Sequence, residues 1–97
     1  MKTKKFSHLT QGNNWIITKD FVDDDKVDAK GCEIDELVNT LGFTEAFRMY
    51  DDDGNLYYQG LAKPNANFDP LDDFGTPNAG CTDIAYRNKI NGKYESL

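Results

Sequence analysis

The chain has 97 residues, of which 38% are hydrophobic and 12% aromatic, and its formal net charge at pH 7 is -6. This length indicates a single domain, residues 1–97, and the aromatic share argues against a disordered chain. The acidic balance argues against direct nucleic-acid binding through a basic face.

The N-terminal residues combine lysines with turn-forming residues, and we expect 1–13 to be loose. No apolar stretch of a secretory signal is present there, and no run long enough for a membrane span occurs anywhere in the chain. We therefore expect a cytoplasmic protein with reduced thiols and no membrane contact. The aromatic and β-branched run from Trp15 to Thr18 predicts a first strand over 14–19, followed by a charged, solvated connector over 19–31.

A helix is predicted over 32–41, where apolar residues recur at helical spacing. Acidic residues lie in its first turn, and Gly42 follows as a capping residue. So short a helix needs a sheet to pack against. Its apolar face consists of Ile34, Leu37, Val38 and Leu41.

The clearest signal is a β-hairpin over 43–63, in which two aromatic-rich strands flank the acidic turn Asp51–Asn55. Gly54 is expected to take the left-handed conformation that such a turn requires. Period-two spacing predicts that Phe47 and Met49 lie on the same face of the sheet.

The acidic turn can also be compared with a calcium-binding EF-hand loop. Asp51 and Asp53 fit two ligand positions, but Met49 and Gly60 would occupy the first and the last. Two principal ligands are therefore missing, and the flanking residues have strand rather than helix character. The turn interpretation is favoured, with a calcium or magnesium site built from the Asp clusters as the alternative.

Residues 63–80 contain all three prolines together with several Gly, Asn and Asp residues, so neither helix nor strand is expected there. We predict an ordered surface loop rich in Pro and Asp over 64–81. Phe68 and Phe74 are large and apolar, and we expect them to hold this loop onto the domain.

The last part of the chain predicts a strand over 82–87, a two-residue turn at Asn91–Gly92 and an edge strand over 93–97. The whole pattern predicts an α+β fold. It would be a mostly antiparallel sheet of about five strands with one short helix packed on one face.

Chemical signatures of an enzyme are weak. Neighbouring carboxylates on exposed turns are normally ionised, and His8 is the only histidine that could act as a base. Cys32 and Cys81 lie far apart and are expected to be small buried or half-buried apolar residues. We therefore expect no catalytic residues, no metal ligands and no cofactor.

Two segments carry a resemblance, Tyr50-Asp51-Asp52-Asp53-Gly54 and the run FDPLDDFGTPNAGCT from Phe68 to Thr82. Together they resemble a signature of small bacterial and phage proteins of uncharacterised function. The resemblance covers roughly the C-terminal half of the chain. It implies no activity and no catalytic residues, and it favours a phage or mobile-element origin.

Residues 31–83 hold most of the acidity, with eight Asp and three Glu against Arg48 and Lys63. We therefore expect a small acidic, non-enzymatic binding protein whose partner is a protein with a basic surface. Such a protein could imitate the charge spacing of a nucleic-acid backbone and occupy the nucleic-acid-binding surface of a host protein, such as a defence nuclease. A calcium- or magnesium-binding domain is the alternative, followed by a small enzyme. The candidate contact residues are Asp51, Asp52, Asp53, Tyr57, Asp69, Asp72 and Asp73.

Overall fold

The computed structural model describes residues 9–22 and 29–97. These residues form a five-stranded antiparallel sheet, two short α-helices and one π-helical turn, which is a small α+β fold. The predicted fold class is confirmed, although helix forms in one more region than expected. The elements are β1 (Trp15–Asp20), α1 (Gly31–Asn39), β2 (Glu45–Tyr50), β3 (Leu56–Ala62), the π-helical turn Leu71–Gly75, α2 (Thr76–Ala79), β4 (Asp83–Arg87) and β5 (Tyr94–Ser96).

The predicted hairpin forms the centre of the sheet, whose strand order is β1-β3-β2-β4-β5. Phe47 pairs with Gly60, and Gly54 in the connecting turn has a φ of +81°, the left-handed value that the turn requires. On the other side of β2, Met49 pairs with Ile84 of β4. The hairpin is therefore flanked by β1 along β3 and by β4 along β2.

The core occupies both faces of the sheet near β1. Phe47 and Met49 are fully buried, as expected for two residues that lie on the same face of the sheet. Ile16 and Ile17 are also fully buried, although neighbouring residues of a strand point to opposite faces. Both faces must therefore be covered at this strand.

Helix α1 begins one residue before the predicted start and ends at Asn39. Its capping contact is made by the Lys30 backbone N–H, which donates to Glu33 Oε1 over 3.0 Å. Leu37 is fully buried, and the other three residues of the predicted apolar face pack against the same core. The predicted helix and its buried face are confirmed.

The expectation of a loop without regular structure over 63–80 is wrong, because helical turns run from 69 to 79. Pro70 directly precedes the π-helical turn, and Pro77 lies in the first turn of α2. A helix has no internal acceptors for the N–H groups of its first turn, so proline is tolerated there. Pro70 and Pro77 therefore mark the beginnings of helical segments in this region, whereas Pro64 lies in a turn.

The helical segment packs on the sheet through aromatic contacts. The Phe74 ring lies 5.6 Å from the Trp15 ring and 4.8 Å from the Tyr58 ring, measured between centroids. Leu71 is buried, whereas Phe68 keeps 47% of its surface exposed. The anchoring role expected of both phenylalanines therefore applies to Phe74 but not to Phe68.

The connection between β4 and β5 is longer than the predicted two-residue turn. The Asn88 backbone N–H donates to the Lys93 carbonyl over 2.8 Å, which leaves the four residues Lys89–Gly92 in the loop. Asn88 Oδ1 accepts the Ile90 N–H over 2.8 Å and shapes this wider loop. The edge strand itself forms where it was predicted.

The start of the described chain is packed rather than loose. Leu9 is buried, and the Thr10 carbonyl accepts the Ile17 N–H over 2.8 Å. Residues 1–8, including His8, and most of the predicted connector, 23–28, lie outside the described residues. No helix in the described part of the chain is long and apolar enough to cross a membrane.

Candidate functional site

Asp51 organises the turn between β2 and β3. Its Oδ1 accepts the backbone N–H groups of Asp53 at 2.9 Å and Asn55 at 2.8 Å, and its Oδ2 accepts the Asn55 amide at 3.0 Å. These Asn55 contacts, with smaller help from the Tyr57 hydroxyl, hold the Asp51 pKa below its usual value. The same hydroxyl contact raises the Tyr57 pKa. The contacts of Asp51 and Tyr57 therefore stabilise the turn itself.

Asp52 and Asp53 lie at the tip of this turn and are exposed. Asp53 gives its backbone N–H to Asp51, but neither side chain has a hydrogen-bond or ion-pair partner among the residues that the structure describes. These two carboxylates are available to a binding partner.

The second acidic group, in the helical segment, is partly used within the fold. Asp69 Oδ2 accepts the Asn14 side-chain amide at 2.7 Å, and Asp73 Oδ2 accepts the Trp15 indole N–H at 3.1 Å. Both bonds fasten the segment to the beginning of β1. Asp72 is exposed and has no such partner within the described ranges.

The two acidic groups lie at different ends of the sheet. Asp51 directly follows β2 at the end where β3 begins, whereas Asn14, the partner of Asp69, precedes Trp15, which pairs with Ala62 at the far end of β3. The length of β3 separates these ends by about 20 Å. The seven candidate residues therefore form two groups rather than one surface.

A concave region of about 430 Å³ lies beside the acidic turn. We call it the acidic depression. No Lys or Arg side chain lines it, and three carboxylates do. Its principal lining residues are Tyr50, Asp51, Asp52, Asp83, Tyr94 and Ser96.

Strand register brings these residues together. Tyr50 at the end of β2 pairs with Asp83 at the start of β4, and Ala85 pairs with Ser96 of β5. The Ser96 hydroxyl donates to Asp83 Oδ2 over 2.8 Å. The floor of the depression is thus the end of three neighbouring strands.

Arg48 of β2 supports one wall of the depression by reaching across β4 to Tyr94 of β5. Its guanidinium carbon lies 4.0 Å from the centroid of the Tyr94 ring, and its Nε donates to Gln59 Oε1 over 2.9 Å. The Gln59 contact orients the guanidinium, and the cation–π contact in turn holds the ring of Tyr94.

The arrangement has the chemistry to receive an organic cation. Carboxylates beside aromatic rings bind guanidinium and ammonium groups through charge-assisted hydrogen bonds and cation–π contacts. Within residues 9–22 and 29–97, no group of three or more His, Cys, Asp or Glu residues could hold a metal ion.

A second concave region, of about 340 Å³, lies at the opposite end of the sheet. Its lining mixes charges, with Glu45 beside Lys63, and Tyr86 closes it by donating its hydroxyl to the Asn67 carbonyl over 2.8 Å. The Lys89 ammonium, 2.7 Å from Glu45 Oε2, lowers the Glu45 pKa. This mixed region has no single charge that would select a partner.

The two thiols differ in environment. Cys32 is exposed, while Cys81 is buried and burial raises its pKa to about 11. The expectation of a buried or half-buried residue therefore applies to Cys81 and is wrong for Cys32. The Cys81 thiol is protonated at neutral pH, which makes it a poor nucleophile.

Sequence reasoning missed Asp83, Tyr94 and Ser96 as members of the site. Asp83 stands alone in the sequence rather than in an acidic run. In the sequence, β3 and the helical segment lie between β2 and β4, but in the sheet these two strands are neighbours. Only this pairing brings Asp83 close to Asp51 and Asp52. A single sequence has no local signal for that pairing.

No protein-family model, curated protein or solved structure matches this chain. The resemblance to small bacterial and phage proteins therefore stays a prediction.

Proposed function

We propose that this chain is a non-enzymatic binding protein whose acidic depression receives Lys or Arg side chains of a partner protein. The observation that carries the proposal is the concave region in which Asp51, Asp52 and Asp83 meet without any lining Lys or Arg. A cationic side chain entering it would gain charge-assisted hydrogen bonds and contact with the Tyr50 ring, while the Tyr94 ring already packs against Arg48.

The charge of the whole chain supports the same class of partner. A net charge of -6 attracts basic surfaces at long range and speeds their encounter with the protein. Free nucleic acid would be repelled, whereas the basic nucleic-acid-binding surface of another protein would be attracted. Occupation of such a surface is the form of this function that the sequence favours.

The test uses a basic model peptide, acetyl-Val-Lys-Val-Lys-Val-Lys-Val-amide, and a neutral version with Gln in place of Lys. With each peptide carrying a fluorescent label, fluorescence anisotropy should show that the protein binds the basic peptide and not the neutral one. Raising the salt from about 0.05 M to about 0.5 M should weaken that binding. Equal binding of the two peptides would contradict the proposal.

A pair of charge reversals localises the binding. Asp52→Lys places a cation in the depression, whereas Asp35→Lys makes the same change of net charge on the exposed side of α1. We expect Asp52→Lys to weaken the binding of the Lys peptide about ten-fold and Asp35→Lys to weaken it no more than about two-fold. Equal losses in the two variants would mean that net charge, not the depression, determines binding. Asp51 is left unchanged, because its loss would disturb the turn.

A further inference from the structure

We infer that the partner of the acidic depression binds as an extended strand that joins the open edge of β5. This inference rests on the proposed function and specifies the form in which the basic segment is recognised. It would make recognition depend on backbone hydrogen bonds as well as on charge.

The hydrogen bonds between β4 and β5 define which backbone groups point outward. The Leu97 N–H donates to the Ile84 carbonyl, and the Asn88 N–H donates to the Lys93 carbonyl. In an antiparallel pair such bonded positions alternate, so Lys93, Glu95 and Leu97 face β4. The N–H and C=O groups of Tyr94 and Ser96 therefore face away from the sheet.

The outward groups of Tyr94 and Ser96 have no hydrogen-bond partner among the described residues. The other edge of the sheet differs. Along β1, the Ile17 N–H donates to Thr10, the Trp15 carbonyl accepts from Gly12, and the Thr18 carbonyl accepts from Ala29. Of the two edges in the described part of the chain, the one at β5 is open to a further strand.

The open edge borders the acidic depression directly. Tyr94 and Ser96 supply the outward backbone groups, and their side chains line the depression. A strand added beside β5 would lie about 10 Å from β4, and every second side chain would lie on the same face as Tyr94. A Lys or Arg side chain on that face would lean over β5 and meet the carboxylate of Asp83 at the rim of the depression.

Charge decides between a second copy of this chain and a different, basic partner. Two copies would each bring a net charge of -6, and although Lys93 and Glu95 of each copy offset one another, both copies would place the Asp83 carboxylate beside the joined edge. Like charges brought close together cost free energy, so edge-to-edge pairing of copies is disfavoured. An extended segment with a basic residue at every second position matches both the edge and the depression.

Backbone methylation of the model peptide tests the strand directly. Two versions of acetyl-Val-Lys-Val-Lys-Val-Lys-Val-amide keep the charge unchanged, one with N-methyl groups on the Lys residues and one with N-methyl groups on the internal Val residues. Because only alternate N–H groups of an added strand face its neighbour, we expect one version to lose at least about ten-fold in affinity and the other to bind like the parent peptide. Similar affinities of the two versions would overturn the inference.

A backbone change on the protein gives the complementary test. Ser96→Pro removes an outward N–H and leaves the inward bonds of Glu95 and Leu97 in place, which an edge strand tolerates. Ser96→Ala serves as its reference, since both variants lose the hydroxyl bond to Asp83. We expect Ser96→Pro to bind the parent peptide at least about ten-fold more weakly than Ser96→Ala, with circular dichroism showing both variants folded.

The outcomes separate this inference from the proposed function. If Ser96→Pro and Ser96→Ala bind alike while Asp52→Lys still weakens binding, the depression binds cations without strand addition and the inference is wrong. If Asp52→Lys has no more effect than Asp35→Lys, the proposed function fails and the strand inference fails with it.

Discussion

The Asp51 carboxylate is used mainly to hold the shape of the acidic turn, so it is less available than Asp52 to a binding partner. Its carboxylate accepts three hydrogen bonds from Asp53 and Asn55, and it also receives the Tyr57 hydroxyl. The neighbouring Asp52 makes no such contacts and faces the depression. Adjacent residues of one acidic run therefore divide between a structural role and the recognition role that we propose.

Asp51→Ala should lower the melting temperature at neutral pH, and the difference from wild type should shrink on acidification. The hydrogen bonds lower the folded pKa of Asp51 below the unfolded value, so their stabilisation is present above about pH 4 and is lost as the pH falls through the lower folded pKa. Thermal unfolding followed by circular dichroism at about pH 7 and about pH 2.5 measures this. Asp53→Ala, which removes a neighbouring carboxylate without these bonds, should change little at either pH. A difference between Asp51→Ala and wild type that does not depend on pH would contradict this role.

Gly60 in β3 lies where the backbone packs tightly against Ile16 of β1 and the ring of Phe47 of β2. A Cβ atom at this position would lie 2.4 Å from the Ile16 carbonyl oxygen and 2.4 Å from Phe47 Cζ. Gly60→Ala should therefore destabilise the fold by about 1–3 kcal/mol. Gly31→Ala is the matched control, since its new methyl group meets no atom within 4 Å. Urea unfolding measures the free energy of unfolding of both variants. Equal values would contradict the close packing at Gly60.

At the scale of elements, the helical segment over 69–79 is fastened to the sheet at several points. Phe74 contacts the rings of Trp15 and Tyr58, and Asp73 accepts the indole N–H of Trp15. These contacts combine aromatic burial with a directed hydrogen bond. The segment is therefore part of the core rather than an appended loop.

Phe74→Ala should destabilise the protein by about 2–4 kcal/mol, because it removes a ring that packs on two others. Phe68→Ala makes the same change six residues earlier, at a ring that keeps 47% of its surface exposed, and should cost less than about 1 kcal/mol. Chemical denaturation compares the two variants. Similar losses in both would contradict the packing that distinguishes these phenylalanines.

The hairpin and α1 could be predicted because their signals are local: a turn sequence with Gly54, and apolar residues at helical spacing around Leu37. The helix over 69–79 was missed because Pro70 and Pro77 were interpreted as helix breakers, although both occupy positions where helices accept proline. The acidic depression could not be predicted, since Asp83 reaches Asp52 only through the non-local pairing of β2 with β4.

At the scale of the whole molecule, the two ends of β4 carry opposite charge. Asp83 begins the strand beside the acidic turn, whereas Arg87 ends it and Lys93 follows the loop beyond. A basic partner approaching this side of the protein would be attracted to the Asp83 end and repelled from the Arg87 end. The charge pattern thus favours one orientation of the partner as well as one place of contact.

The most direct measurement of the central claim is an NMR titration of the isotope-labelled protein with acetyl-Val-Lys-Val-Lys-Val-Lys-Val-amide, which follows every backbone amide at once. Our account predicts saturable chemical-shift changes centred on Asp52, Asp83, Tyr94 and Ser96, and a weaker response at about 0.5 M salt. Changes confined to 69–73, or changes that never saturate, would contradict the claim that the acidic depression is the binding site.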